Sequence, residues 1–215
     1  MWDRRFGSSD VDLCRSVIAT SDGGYLLAGW NGGITDGDRT DSTFGEWVMW
    51  VVKINASGNK IWDKCYGTNG TRDEAHSIIA TGDGGFAVLG GGHFHPTGSG
   101  GWNFRLFKAN ANGEVIWSKF FGGDGHESGK SLCLTNEGGF LVVGGSPSGI
   151  GGDKSQASRG NHDFWSVKFD GNGNKIWDKR FGGSLEDNCY DVVATNDGGY
   201  LIVGDSNSPA DGDKS

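Results

Sequence analysis

The sequence has little proline and no apolar run of the 18 or more residues that a membrane-spanning helix needs: only three of its 215 residues are proline. It also lacks a basic, apolar, small-residue signal at its start, so the chain does not report its own compartment. None of its four cysteines belongs to a C-x-x-C pair, which argues against a zinc ribbon or finger. Acidic residues outnumber basic ones, and the formal charge of −8 disfavours nucleic acid as a partner.

Glycine and tryptophan, in contrast, are abundant. The chain has 41 Gly and nine Trp, and aromatic residues make up 12% of it. The glycines follow no strict three-residue period, which excludes collagen, and the aromatic content argues against a disordered linker. This composition indicates many short strands joined by tight turns.

Two motifs repeat in step along the chain. A W-x-x-x-[FY]-G string begins at Trp2, Trp62, Trp117 and Trp177, at spacings of 60, 55 and 60 residues. A [DE]-G-G-[YF] string recurs at spacings of 61, 54 and 60 residues, starting at Asp22, Asp83, Glu137 and Asp197. Because two independent markers share one period, the chain consists of internal repeats.

Each repeat predicts four short strands and no helix. The first strand is an apolar run ending in Thr, and the Gly-Gly turn after it can supply the positive φ of a tight hairpin. A variable loop separates the second strand from the third, and a short turn leads to the fourth, which carries the repeated Trp. The predicted ranges are 16–20, 77–81, 131–135 and 191–195 for the first strand, 25–29, 86–90, 140–144 and 200–204 for the second, and 47–54, 103–109 and 163–169 for the third.

The first and second strands are apolar at consecutive positions, as in 77–81 and 200–204. A half-exposed sheet would alternate apolar and polar residues, so both faces of each sheet are expected to be covered. Four-stranded antiparallel sheets stacked face to face around an axis meet this requirement. The sequence therefore predicts an all-β fold, a β-propeller, with a β-solenoid and a β-sandwich as alternatives.

The repeats fill residues 1–215 as one array, with units at 8–66, 68–121 and 123–181 and an incomplete unit at 183–215. This amounts to about 3.5–4 blades and 15 strands, beginning with a strand of the fourth type and ending with a first and second strand. A blade without its third strand has unpaired edges. Further blades are therefore expected, either from a longer chain or from a second copy that exchanges strands.

The strings D-G-N-G-N-K-I-W at 170–177 and T-N-D-G-G-Y-L-I-V-G at 195–204 resemble a bacterial and archaeal family of delta-60-like, uncharacterised propeller-repeat proteins. The resemblance covers essentially the whole chain. It implies a secreted or cell-surface protein, often of a Bacteroidetes type with a C-terminal sorting domain for type IX secretion. The second repeat departs from the pattern, since residues 90–101 replace the G-D-K-S loop with His-Phe-His and glycine.

The strings that end at Trp62, Trp117 and Trp177 are also similar, more weakly, to the tryptophan-docking motif of quinoprotein-type propellers. That similarity implies that the Trp packs against the neighbouring blade. It carries no quinone cofactor with it, because no accompanying set of cofactor ligands is found.

Three sets of side chains recur once per unit. An acidic residue stands eight positions before the Thr of the first strand; a ring of such carboxylates could hold a cation, but repetition in every unit favours local hydrogen bonding. The repeated Trp residues are expected to be buried anchors between blades rather than sugar-stacking platforms. The third-strand lysines are expected to pair with a carboxylate or to reach the rim. The acidic set is Asp12, Asp73, Glu127 and Asp187. The Trp set is Trp2, Trp62, Trp117 and Trp177, and the lysine set is Lys53, Lys108 and Lys168.

Two non-repeating segments suggest metals. Asp36, Asp38 and Asp41 present carboxylates at near-alternating positions, which suits calcium, although the rest of an EF-hand pattern is absent. His93 and His95 would place two imidazoles on one side of an extended segment, without a third ligand for a transition metal nearby in sequence. The sequence thus allows a bound calcium ion, and it predicts no cofactor.

Trp30, Trp47 and Trp102 lie outside the repeated Trp set, in the predicted variable loops or where such a loop meets the third strand. Because specific binding is expected where repeats differ, we expect these aromatic side chains to be exposed and to stack on a glycan.

The cysteines are expected to be free and mostly buried. Cys14 and Cys189 occupy equivalent positions in different units, too far apart to form a disulfide, and Cys65 and Cys133 fall elsewhere in the repeat.

Catalytic motifs are scarce: the sequence has no G-x-S-x-G elbow, metalloprotease helix or phosphate-binding loop. It therefore favours a non-enzymatic extracytoplasmic module for binding or adhesion to protein or glycan. Two alternatives stay open: a polysaccharide hydrolase or lyase that uses loop carboxylates, and a purely structural spacer in a larger surface protein.

Overall fold

The computed structural model describes residues 1–32, 34–42, 47–67, 72–92 and 101–215, where the chain forms 14 strands and no helix. Sheet 1 contains β1 (Asp12–Ala19), β2 (Tyr25–Asn31), β3 (Val48–Ile54) and β4 (Lys60–Tyr66). Sheet 2 contains β5 (Asp73–Ala80), β6 (Phe86–Gly92), β7 (Asn103–Ala109) and β8 (Val115–Phe121). Sheet 3 contains β9 (Ser128–Leu134), β10 (Phe140–Ser146), β11 (Asp163–Phe169) and β12 (Lys175–Phe181). Sheet 4 is a hairpin of β13 (Asp187–Ala194) and β14 (Tyr200–Ser206).

Sheets 1, 2 and 3 are antiparallel meanders in which each strand pairs with the next along the chain. The all-β class and the four-stranded antiparallel sheets predicted from the repeat are therefore confirmed. The third strands begin within one residue of their predicted positions, whereas the first strands begin three or four residues earlier. The described part of the chain contains no helix that is long and apolar enough to cross a membrane.

The Gly-Gly turn between the first and second strands requires both of its glycines, for different reasons. Gly23 has a φ of 81°, in the left-handed region that glycine adopts without steric cost. Gly24 lies against the end of the third strand, where an added Cβ would be 2.2 Å from the Ile54 carbonyl oxygen. The turn therefore closes the hairpin and lets the third strand end beside it.

Neighbouring sheets pack face to face in chain order. The first strands contact one another from β1 to β5, from β5 to β9 and from β9 to β13. The cores between sheets are apolar: Met49 and Val51 meet Phe86 and Phe107 between sheets 1 and 2, for example. Every residue of β6 and of β10 is buried as a result. Continuous apolar runs therefore predicted burial on both faces correctly for these inner sheets.

The two end sheets depart from that expectation. Leu201, in the apolar run of β14, is 55% exposed, although the corresponding strands β6 and β10 are buried throughout. Val17 in β1 is 60% exposed. No other sheet of the described chain packs on these faces. Part of sheet 1 is instead covered by the N-terminal segment, where Phe6 packs against Trp50 and Val52.

The predicted fourth-type strand at residues 1–7 is not formed, so the described residues contain 14 strands rather than 15. A fourth strand pairs only with the third strand of its own sheet, and no third strand lies beside this segment. Trp2 still occupies a docked position, since its indole Nε1 donates to the Ala56 carbonyl at 2.9 Å. The N-terminal segment is therefore held by side-chain contacts and not by backbone hydrogen bonds to a neighbouring strand.

None of the four cysteines forms a disulfide, which agrees with the prediction. Cys65 and Cys189 are buried, Cys133 is half-buried and Cys14 is exposed. Burial raises the pKa of the Cys133 thiol to about 11 and that of the Cys189 thiol to about 12. Both thiols are therefore protonated and unreactive at neutral pH.

Candidate binding face

Three of the four repeated Trp residues lie on a turn into a fourth strand of the next sheet along the chain. The Trp117 indole covers Gly173, where an added Cβ would be 3.0 Å from the ring, and its Nε1 donates to the Gly171 carbonyl at 3.3 Å. Trp2 covers Gly58 in the same way, whereas Gly113 lies against the Tyr66 hydroxyl and the Lys64 side chain as well as the edge of the Trp62 indole. The repeated Trp residues thus lie between sheets, but they are half-buried or, for Trp2, exposed. Their contact with a turn agrees with the predicted role of anchors, whereas their burial is lower than predicted because these indoles lie on surface turns.

The repeated carboxylates are hydrogen-bonded within their own sheets. Asp12, Glu127 and Asp187 each accept the backbone N–H of the residue four positions earlier, at 2.7, 3.0 and 2.7 Å. Asp73 is fully buried and pairs with Arg105 at 3.3 Å. Local hydrogen bonding thus explains their recurrence, and no group of three or more His, Cys, Asp or Glu side chains within the described residues is arranged to hold a metal.

The loop after the second strand supplies a buried cation in sheets 1 and 3. Arg39 donates to Asn31 at 2.8 Å, and Lys154 donates to Ser146 at 2.8 Å, in each case at the end of the second strand. Sheet 2 departs from this pattern, as its sequence did. Its buried cation comes from the third strand, where Arg105 donates to the Tyr66 carbonyl at 2.9 Å.

The three carboxylates proposed for calcium are engaged separately. Each accepts a backbone N–H from a different part of the chain and so ties the loop to the sheet. The pairs are Asp36 with Ser9 at 2.7 Å, Asp38 with Gly7 at 3.1 Å and Asp41 with Cys65 at 2.8 Å. Hydrogen bonding from Ser9 holds the pKa of the Asp36 carboxyl below its usual value. The structure does not bring these carboxylates together, and His93 and His95 lie outside the described residues.

The third-strand lysines pair with the acid of the Gly-Gly turn. The Nζ–carboxylate distances are 2.7 Å for Lys53 with Asp22, 2.6 Å for Lys108 with Asp83 and 3.1 Å for Lys168 with Glu137. The hydrogen bond from Lys108 lowers the pKa of Asp83 to about 2. These ion pairs lie at the turn edge of each sheet and are the same in all three.

Trp30, Trp47 and Trp102 are not the open platforms that the sequence predicted. Trp30 lies in β2 and is only 7% exposed. Trp47 is half-buried between Trp30, stacked at a centroid distance of 4.7 Å, and the Arg72 guanidinium, 4.6 Å from its ring centre. The Trp30 ring and the Arg72 guanidinium therefore each cover part of the Trp47 indole. Trp102 is half-buried and lies against Gly91.

Trp47 and Trp102 belong to a larger row of side chains at the seams between sheets. At each seam the N–H of the repeated acid donates to the carbonyl of the residue just before the third strand of the preceding sheet. The donors and acceptors are Asp73 to Trp47 at 3.0 Å, Glu127 to Trp102 at 2.8 Å and Asp187 to His162 at 2.7 Å. The backbone geometry of the three seams is therefore the same.

The side chains at these seams all differ. Each seam presents the residue just before a third strand and the residue just before a repeated acid, and the first is half-buried while the second is exposed. We call these six residues the seam row: Trp47 with Arg72, Trp102 with His126, and His162 with Glu186. The three seams thus offer an indole with a guanidinium, an indole with an imidazole, and an imidazole with a carboxylate.

The opposite edge of the sheets is uniform. There, the Gly-Gly turns carry the same lysine–acid pair, and the turns into the fourth strands carry a glycine with a φ of 77° or 78° at Gly58, Gly113 and Gly173. Chemical variety is therefore concentrated at the edge that carries the long loops. Sequence reasoning missed Arg72, His126 and Glu186, although each directly precedes a repeated acid and differs from its counterparts.

No family model matches the chain, and no curated protein matches it. Among solved structures it is similar to a crystal structure of a protein of unknown function from Bacteroides caccae, with 16% sequence identity and a TM-score of 0.49. The match covers 88% of this chain and 52% of the other, so this chain spans about half the length of that neighbour. The resemblance to delta-60-like repeat proteins stays a prediction.

Proposed function

We propose that the four sheets are blades of a β-propeller and that the protein is a non-enzymatic binding module whose seam row binds a glycan. One observation carries the proposal: three seams with the same backbone hydrogen bond present three different pairs of side chains. In repeat proteins, residues that vary on one face of a constant frame are often those that bind.

The propeller part of the proposal is supported by how the sheets meet. Successive sheets contact through their first strands, and those strands lie side by side across the array. Further sheets of the same repeat, from a longer chain or from a second copy, would cover the apolar outer faces that expose Val17 and Leu201. The described sheets already contact one another through a Trp that lies on a turn glycine, and a further sheet of the same repeat could dock through the same contact.

A glycan suits the seam row because the row combines apolar ring edges with hydrogen-bonding groups. The half-buried Trp47 and Trp102 provide apolar surface with a polar handle, while the exposed Arg72 and Glu186 can donate to and accept from hydroxyl groups. These groups occur at successive seams rather than in one pocket. The proposed ligand is therefore an extended oligosaccharide that crosses more than one seam.

The non-enzymatic part of the proposal is supported by the state of the carboxylates. Asp36, Asp38 and Asp41, the loop carboxylates that the sequence proposed for calcium, each accept a backbone N–H that ties the loop to the sheet. The extracytoplasmic setting comes from the resemblance of the repeats to secreted and cell-surface proteins. Polysaccharide hydrolysis and a purely structural role are the competing functions that the experiment must separate.

The test is binding to an array of bacterial and plant oligosaccharides. We compare the wild-type chain with a seam variant, R72A/H126A/E186A, and with a control, S57A/N112A/N172A, which alters three exposed residues of the opposite edge. We expect the wild type and the control to retain the same oligosaccharides and the seam variant to bind at least tenfold more weakly. Retention of no glycan, equal loss in the control, or release of shortened products would contradict the proposal.

A further inference from the structure

Every first strand carries a β-bulge at the same place. In sheet 1, Cys14 pairs with Gly29 and Ser16 with Ala28, so Arg15 has no partner in the register. The same shift leaves His76, Lys130 and Tyr190 unpaired in the first strands of sheets 2, 3 and 4. A bulge redirects a side chain away from the regular alternation of a strand, and bulges are over-represented next to functional sites.

The bulged position varies within a constant frame. The next residue is Ser in the first three sheets, and the Ser16 and Ser131 hydroxyls take part in contacts with the following sheet: Ser16 accepts from the Ile78 N–H at 3.3 Å, and Ser131 donates to Asp191 at 2.6 Å. The bulged residues themselves are basic in sheets 1, 2 and 3, in a chain whose formal charge is −8. A local concentration of basic side chains thus lies within an acidic protein.

The first strands of sheets 1, 2 and 3 contact one another in order, β1 with β5 and β5 with β9, so the bulged His76 lies between the bulged Arg15 and Lys130. The pKa of His76 falls to about 4, chiefly because the imidazole is buried, and the charges of Lys130 and Arg15 lower it further. Burial raises the pKa of Glu74, whose carboxylate lies 3.7 Å from His76, while the same two cations oppose that rise. Within the described residues, neither Arg15 nor Lys130 lies within about 4 Å of a carboxylate oxygen, and Glu74 is the carboxylate on which both of their charges act.

We propose that Arg15, His76 and Lys130 form a binding site for a small oxyanion, separate from the seam row. Arg15 supplies a planar fork that fits two oxygens of a carboxylate or a phosphate, and Lys130 supplies a second positive charge from the other side of His76. A bound anion adds negative charge beside the half-buried imidazole and favours its protonated form. Carboxylate and phosphate share this recognition chemistry, and the experiment distinguishes them.

The test titrates citrate and, separately, inorganic phosphate into the intact chain at a constant ionic strength of about 0.15 M, where exposed charges act over only about 8 Å. We expect saturable binding by calorimetry, weakened at least tenfold by R15Q or by K130Q. The control K119Q removes an exposed lysine of β8 and should weaken binding less than twofold. Tighter binding of citrate identifies an organic acid as the ligand, and tighter binding of phosphate identifies a phosphoryl group.

A second readout separates a specific site from general attraction of anions. The imidazole resonances of His76 should report a pKa that rises when the anion binds, in the wild type but not in R15Q. Absence of saturable binding for both anions, equal weakening by K119Q, or an unchanged His76 pKa at saturation would overturn the proposal. Arg15 is exposed, so its replacement should leave the fold intact, which circular dichroism would check.

Discussion

The Asp73 carboxylate and the Arg105 guanidinium show how single residues hold charge inside this protein. Asp73 has no solvent exposure and Arg105 is 7% exposed, and their side chains are 3.3 Å apart. Removing one member of such a pair leaves a buried charge without its partner. We expect D73N to lower the free energy of unfolding by about 3–5 kcal/mol, measured by urea denaturation.

A matched control comes from Asp124, an exposed carboxylate on the segment that leads into the next first strand. Its replacement by Asn should change the free energy of unfolding by less than about 0.5 kcal/mol, as for most surface substitutions. If D73N were as mild as D124N, the repeated acids would not have the structural role assigned to them here.

His76 makes stability depend on pH in a defined direction. Its folded-state pKa of about 4 lies below the ordinary value of 6.5, because of burial and the charges of Lys130 and Arg15. The unfolded state therefore binds a proton first as the pH falls. The stabilisation from neutral His76 is complete above about pH 6.5 and is lost as the pH falls towards 4, a change on the order of 3 kcal/mol.

Urea midpoints at pH 7 and pH 4.5 for the wild type and for H76Q would measure this contribution. The wild type should lose more stability than H76Q over this interval. The neighbouring Glu74 acts in the opposite sense, since its raised pKa favours the folded state as the pH falls. Identical pH dependence in the two proteins would mean that His76 is not held neutral.

At the residue scale, the sequence predicted roles well where a residue recurs and poorly where it does not. Recurrence in every unit indicated local hydrogen bonding for Asp12 and its counterparts, and their backbone contacts agree with that interpretation. Trp30 was expected to be an exposed loop residue, yet it lies in β2 and is buried by Trp47. The second strand runs two residues beyond the repeated motif, which no repeat marker shows.

At the element scale, the contact between a Trp and a turn glycine joins one sheet to the next. Gly173 has a φ of 78° and lies under the Trp117 indole, while Gly138 has the same φ of 78° and has no other atom within 4 Å of an added Cβ. Both G173A and G138A incur the strain of a left-handed Ala, about 1 kcal/mol. Only G173A must also displace the indole.

We therefore expect G173A to lower the free energy of unfolding by about 1–2 kcal/mol more than G138A, as for other overpacked contacts. Chemical denaturation followed by tryptophan fluorescence would measure both variants. Equal losses would show that Trp117 does not bear on the turn, and the sheets would then have to be joined by their apolar cores alone.

Strand positions were predictable because turn glycines and apolar runs mark them in every copy. Two features of the elements were not predictable. The N-terminal segment has the sequence of a fourth strand but no third strand to pair with, so it packs through Trp2 and Phe6 instead. The bulges that free Arg15 and His76 leave no mark in the apolar pattern, because they add one residue to a strand that continues beyond them.

At the scale of the whole molecule, the sheets are joined in sequence, and the outer faces of the first and last sheets are left apolar and exposed. Sheet 4 exposes Leu201 and Val203, whose counterparts in sheet 3, Leu141 and Val143, are buried. A straight stack and a ring of blades both account for buried inner sheets. They differ in how far apart the first and last sheets lie.

The distance between the Gly-Gly turns of sheets 1 and 4 is the most direct test of the proposed propeller. Nitroxide labels on S21C and N196C, both exposed turn positions, in a C14S background would report it by pulsed electron paramagnetic resonance. Three face-to-face steps of about 10 Å in a straight stack give about 30 Å. Blades arranged around a common axis should bring the labels to about 20 Å, and a distance of about 30 Å or more would contradict the account.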